Sequence, residues 1–168
     1  VRYMVESARK MYRELSAETG EFFDFMCEHE LFDLETRAGK HMGGYCTFIS
    51  GYNAPFIFSN FNGTSADVDV LTHEAGHAFQ AYSTAKNVTL SSQLWSTSEI
   101  SEIHSMSMEH FAYPWMDLFF GENADKYRYA HLSDALKTVP YLCLVDHFQQ
   151  EVFSHDYDCL LYTSPSPR

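Results

Sequence analysis

The sequence is poor in basic side chains. Its 11 Lys and Arg stand against 23 Asp and Glu, a formal charge of -12, which argues against a surface built for nucleic acid or an anionic membrane and otherwise serves solubility. Long apolar runs are missing too. None approaches the roughly 18 to 20 residues needed to cross a bilayer, and the charged opening VRYMVESARK is not a secretory signal. The four cysteines, Cys27, Cys46, Cys143 and Cys159, show neither CxxC spacing nor the density of a disulfide scaffold, which points to a reducing, cytoplasmic compartment. No internal repeat or low-complexity linker divides the chain.

What remains is one domain's length of sequence with material for a core: 45% hydrophobic residues, including 14 Phe and 11 Tyr. Val5, Ala8, Met11, Tyr12 and Leu15, then Phe22, Phe23 and Met26, recur at helical spacing and predict two helices divided at Gly20 and reaching about Phe32. In GGYCTFISGYNAPFIFSNFNG, β-branched and aromatic residues lie between turn residues, predicting short strands near Tyr45 to Ile49 and Phe56 to Ser59. Thr64 and Asp67 resemble a capping box for a helix through about Tyr82. Ser96 and Glu99 repeat the signal for a helix running towards Phe120, kinked or broken at Pro114. Two further helices are expected over about Ala124 to Lys137 and Pro140 to Ser154. The fold class is therefore mainly α with a small β-sheet.

The final ten residues, CLLYTSPSPR, are turn-rich and aperiodic, and their back-translation can match an adaptor used in sequencing libraries. They are expected to be a foreign tail over 159–168, leaving 1–158 as part of a catalytic domain. An opening Val1 that already reads as helix interior adds the expectation of a fragment.

The chemistry concentrates in LTHEAGHAFQ, residues 71 to 80. On a helix, His73 and His77 lie one above the other, because four residues turn the chain only about 40° past a full revolution. HExxH in this setting supplies two imidazole ligands to zinc and aims Glu74 beside the metal, as a base for water. The competing reading is a pair of core histidines. The helix's own apolar stripe, Val68, Leu71, Ala75, Phe79 and Tyr82, leaves both on another face. A catalytic zinc keeps three protein ligands, and Glu99, Glu102 and Glu109 on the next helix are the candidates. Glu102 and Glu109, two turns apart, share a side away from the stripe Ile100, Ile103, Ser107, Phe111 and Trp115, which is predicted to face the core. One of them can bind metal while the other orients a ligand histidine. A solvated helix face remains the alternative for Glu99 and Glu109.

HEAGH followed by Glu102 in SEIHSMSMEHF resembles the thimet oligopeptidase and oligoendopeptidase F family of zinc metallopeptidases. GKHMGGYCTF, APFIFSNFNGTSADVDVLTHEAGHAF and HSMSMEHFAYPWMDLFFGE are similar to its oligoendopeptidase F-like subgroup, over about Ala38 to Phe153. The resemblance implies a partial zincin-type catalytic domain with one Zn2+ per chain on His73, His77 and Glu102. It makes Glu74 the general base, with Glu109 as a supporting carboxylate, and short peptides the substrates; Glu99, from its place on the same helix, is the other candidate for a supporting role. The strand at Gly44, Tyr45 and Cys46 would pair with substrate backbone, an ordinary core strand being the other reading. Family members continue into a segment whose His and Tyr residues contact substrate and stabilise the oxyanion. No segment here matches it, so the alternative is a zinc-binding but inactive chain.

Overall fold

In the computed structural model, which describes residues 1–154, the chain opens with helices α1 (Arg2–Leu15) and α2 (Ala17–Glu28). They part at Ser16 rather than at Gly20. The Ser16 backbone is extended and its hydroxyl accepts the Thr19 N–H, capping α2. Gly20 sits inside α2, where a Cβ would stand 3.0 Å from the Arg13 Cα. Its missing side chain lets the helices close on Tyr12, Phe22 and Phe23, all fully buried. The tail expected at 159–168 and its boundary lie outside the described residues.

Three strands follow: β1 (Phe32–Glu35), β2 (Tyr45–Ile49) and β3 (Ala54–Phe61). β3 is central, parallel to β1 and antiparallel to β2. β2 matches the predicted bounds and β3 outgrows them, burying Pro55, Ile57, Ser59 and Phe61 on alternate positions. β1 was not expected. With only Leu34 buried among its four residues, it is too short for alternation to show, and pairing with β3 forms it.

Helix α3 (Ala66–Ala85) packs on the sheet, and α4 (Ser98–Phe111) packs on α3. Val68, Leu71, Ala75 and Ala78 join Tyr12, Phe22 and Ile57 in one core, while Phe79 and Tyr82 are partly buried around Phe22 at 5.5 Å. Neither expected capping box forms. The Asp67 carboxylate instead accepts the backbone N–H groups of Asn62 and Gly63, and Thr97 takes the cap position of α4 while Ser96 Oγ pairs with Ser101 Oγ.

The predicted core stripe of α4 is a correction. Ile100, Ile103 and Phe111 are 45%, 58% and 58% exposed, and the helix buries Ser105 and Met108 instead. Close contact with α3 decides this. Gly76 lets the α4 backbone at His104 and Ser105 come so close that the face carrying Ser105 and Met108, rather than the one carrying Ile100, Ile103 and Phe111, meets α3. The chain does break near Pro114, where a 3-10 turn over Tyr113–Trp115 leads to α5 (Asp117–Phe120). α6 (Ala124–Ser154) runs unbroken through Pro140, against the two helices expected there.

Two compact units divide the chain, residues 1–127 and those from Arg128 onward. The second is represented among the described residues by the remainder of α6, on which Leu132, Leu136, Leu142, Leu144 and Phe148 are exposed. No helix among the described residues is long and apolar enough to cross a membrane.

Candidate metal centre

On α3 the imidazoles of His73 and His77 stand one turn apart, with ring centroids 4.9 Å apart at 81°. α4 crosses beside them and delivers Glu102, whose Oε2 lies 3.2 Å from His73 Nε2 and 3.8 Å from His77 Nε2. Donor atoms of all three residues fall within 4.8 Å of one another. A tetrahedral zinc ion with ligands at about 2.0 to 2.2 Å holds its donors roughly 3.3 to 3.6 Å apart, a spacing that the two edges meeting at Glu102, 3.2 and 3.8 Å, bracket.

Hydrogen bonding argues the same way. His73 Nδ1 is 2.6 Å from Glu109 Oε1, and Glu109 is an acceptor that requires the proton on Nδ1. A neutral His73 then directs its Nε2 lone pair at the Glu102 carboxylate. Two acceptors at 3.2 Å are tolerable only with a proton or a cation between them. Burial pulls the His73 pKa down, but the bond to Glu109 and the charges of Glu109, Glu74 and Glu102 outweigh it and leave it raised. For His77, burial first and then His73 and His104 lower the pKa, against the opposite pull of the Glu102 carboxylate.

Glu74 points from the same turn of α3 into a nearly closed setting, 9% exposed. Burial lifts its pKa, opposed by the His73 charge and by the Cys46 backbone amide and assisted by Glu102. A carboxyl pushed towards neutrality is suited to taking and returning a proton. Glu102 is open to solvent, its side chain 54% exposed, while Glu109, two turns along α4, is 12% exposed. Glu99 stands in the first turn of α4, where its own backbone amide and the Thr97 side chain bond its carboxylate and lower its pKa.

β2 ends the sheet order and runs past this centre. Gly44 leads into it, with the Ser59 hydroxyl and a Val70 methyl each 3.3 Å from where a Cβ would be. The Tyr45 ring stacks on Phe58 at 5.0 Å. Cys46 sits beside Glu74, its thiol pushed up to about 12 by burial and the Glu74 charge. The segment before β2 is tied down by Lys40, whose side chain is 1% exposed. Its ammonium donates to the Asp33 and Glu35 carbonyls and to Asp33 Oδ1, each at 2.9 Å, and to the Ser59 carbonyl, over the Phe58 ring.

Three contributors to the site escaped the sequence reading. Gly76, within HEAGH, would place a Cβ 2.7 Å from Ser105 Cα and 2.9 Å from the His104 carbonyl oxygen. Ser105, fully buried, donates from its hydroxyl to Glu102 Oε2 at 2.9 Å. Tyr127, at the start of α6, donates to Asp69 one turn before His73. The glycine inside a strongly helical motif was the available signal, since it weakens a helix interior unless something must approach closely.

A comparison with curated proteins returned no match. Among solved structures, one described as PZ peptidase A with inhibitor 2 is 58% identical, with a TM-score of 0.86 over 90% of this chain and 27% of its own. Two described as candidate oligoendopeptidase F, one of them from Bacillus anthracis, are 61% and 56% identical, each with a TM-score of 0.86 over 90% of this chain. The chain spans 27% to 28% of the length of these three. The family model for peptidase family M3 matches residues 19–157. With the HEAGH helix, the crossing helix and the edge strand all inside that span, the chain belongs to peptidase family M3.

Proposed function

We propose that this chain carries the metal centre and general base of a zinc-dependent endopeptidase acting on short peptides. The observation that carries the reading is the convergence of His73 Nε2, His77 Nε2 and Glu102 Oε2 beside the buried carboxyl of Glu74. Three such donors suit one Zn2+, which when bound acidifies water and polarises a carbonyl. Glu74 accepts the water's proton and returns it to the departing amine. Glu109 holds His73 in the tautomer that leaves Nε2 free to bind. The open edge of β2, at Gly44, Tyr45 and Cys46, aligns an extended peptide by backbone pairing. The PZ peptidase and oligoendopeptidase descriptions of the similar structures favour peptide substrates over other carbonyl compounds.

The test has two readings. Zinc per chain is measured for the parent, for His77→Ala and for Glu74→Gln, and cleavage of a quenched fluorescent peptide is followed alongside. One equivalent is expected in the parent and in Glu74→Gln, and none in His77→Ala, with cleavage by the parent alone. A Glu74→Gln protein that cleaves at the parental rate contradicts the assignment of the base. Zinc without cleavage in the parent leaves the centre standing and favours an inactive, metal-binding chain.

A further inference from the structure

Glu102 is the exposed member of the triangle, its side chain 54% accessible on a helix whose neighbouring Ile103 is also open. A half-exposed glutamate has three rotatable bonds and little packing to select among its rotamers, so ordering it carries an entropic cost. Something must hold the carboxylate towards the histidines. Ser105, one turn further along α4, is wholly buried against Gly76 and has its hydroxyl 2.9 Å from Glu102 Oε2, the same oxygen that faces both imidazoles.

We propose that Ser105 is a positioning residue that acts through Glu102, its hydroxyl fixing the carboxylate rotamer that completes the metal triangle. The inference rests on the zinc reading given above. Ser105 has other acceptors within reach, the Glu102 carbonyl at 3.2 Å and the Ser101 carbonyl at 3.4 Å. The carboxylate is both the nearest and the charged one, and charge-assisted bonds are roughly twice as strong as neutral ones. Those carbonyls are already part of the helix ladder, so the helix itself does not need the serine. The hydroxyl is placed by the crossing: Gly76 leaves no room beside Ser105 for a Cβ, which seats the serine in a single environment. Its bond supplies orientation to a ligand otherwise exposed to water.

The experiment is a double-mutant cycle on zinc affinity, measured by titration calorimetry and chelator competition with the whole 168-residue chain. Ser105→Ala is made alone and together with Glu102→Ala, and the melting temperature of each metal-free protein is recorded. Loss of a group that orients a metal ligand typically weakens binding 10- to 100-fold, and that loss is expected for Ser105→Ala, with the metal-free melting temperature close to the parent's. With Glu102 already replaced, removing Ser105 should weaken binding less than twofold further. An affinity for Ser105→Ala within twofold of the parent overturns the proposal while leaving the zinc centre intact. An equal loss in both backgrounds also overturns it, since the serine would then be acting on the fold. A parent that binds no zinc rejects the underlying centre instead.

Discussion

Replacing Gly76 by Ala tests how tightly the metal triangle depends on the α3–α4 crossing. The new Cβ would lie 2.7 Å from Ser105 Cα and 2.9 Å from the His104 carbonyl oxygen, where ordinary contact begins at 3.4 Å. Both neighbours are backbone, so no side chain can swing aside. Moving from 2.7 to 3.4 Å requires α4 to retreat by about 0.7 Å at that point. Glu102 is one turn away on the same helix and is carried along, yet metal to ligand distances hold within about 0.2 Å. The displacement therefore exceeds what the triangle tolerates. Zinc affinity should fall at least tenfold by chelator competition. Overpacking of this kind costs about 1 to 3 kcal/mol, offset by the roughly 1 kcal/mol by which Ala outdoes Gly inside a helix, so urea unfolding of the metal-free protein should show a net loss near 1 kcal/mol. A Gly76→Ala protein that binds zinc as the parent does and gains stability would refute the reasoning.

Three other substitutions probe separate parts of the structure. Glu109→Ala leaves His73 Nδ1 without its acceptor and should weaken zinc binding 10- to 100-fold, with unchanged affinity counting against the orienting role. The Tyr12 hydroxyl is buried with no hydrogen-bond partner among the described residues, so Tyr12→Phe should raise stability by about 1 kcal/mol in urea unfolding, and a loss would mean that the hydroxyl is satisfied. Asp33 is held below the usual carboxylate range by hydrogen bonds from Arg37 and then Lys40. A depressed folded pKa contributes stability that is present above the unfolded value, near 3.9, and is lost as pH falls through the folded value. Asp33→Asn should therefore melt below the parent at pH 7, with the gap closing in acid below about pH 4, and a gap independent of pH would show that charge is not its source.

Elements that bury one face over several turns were legible in the sequence. The α3 stripe Val68, Leu71 and Ala75 reaches the core, and the same periodicity put His73 and His77 on a different side, where the structure has them facing Glu102. The three-atom convergence itself was not legible, since spacing within one helix says nothing about the angle at which another crosses it. α4 shows why. Hydropathy selected Ile100, Ile103 and Phe111 as its inner face, but the crossing is set by the closest approach of two backbones, and Gly76 with Ser105 permits the closer one. β1 depends on pairing with β3 rather than on its own pattern. Pro140 shows the limit of a local rule, because a proline that lacks a donor does not end α6.

Lys40 closes the span from Asp33 to Ser59 with one ammonium group, in a chain whose described cysteines are free. A tether of this sort can be read by acylating reagents as no covalent link can. While the four oxygens hold it, the amine is shielded from attack, with its side chain 1% exposed. Each detachment of the segment ahead of β2 bares a nucleophile. The acylation rate of this one lysine therefore reports how firmly the segment ahead of β2 is held, readable by mass spectrometry in the presence and absence of zinc.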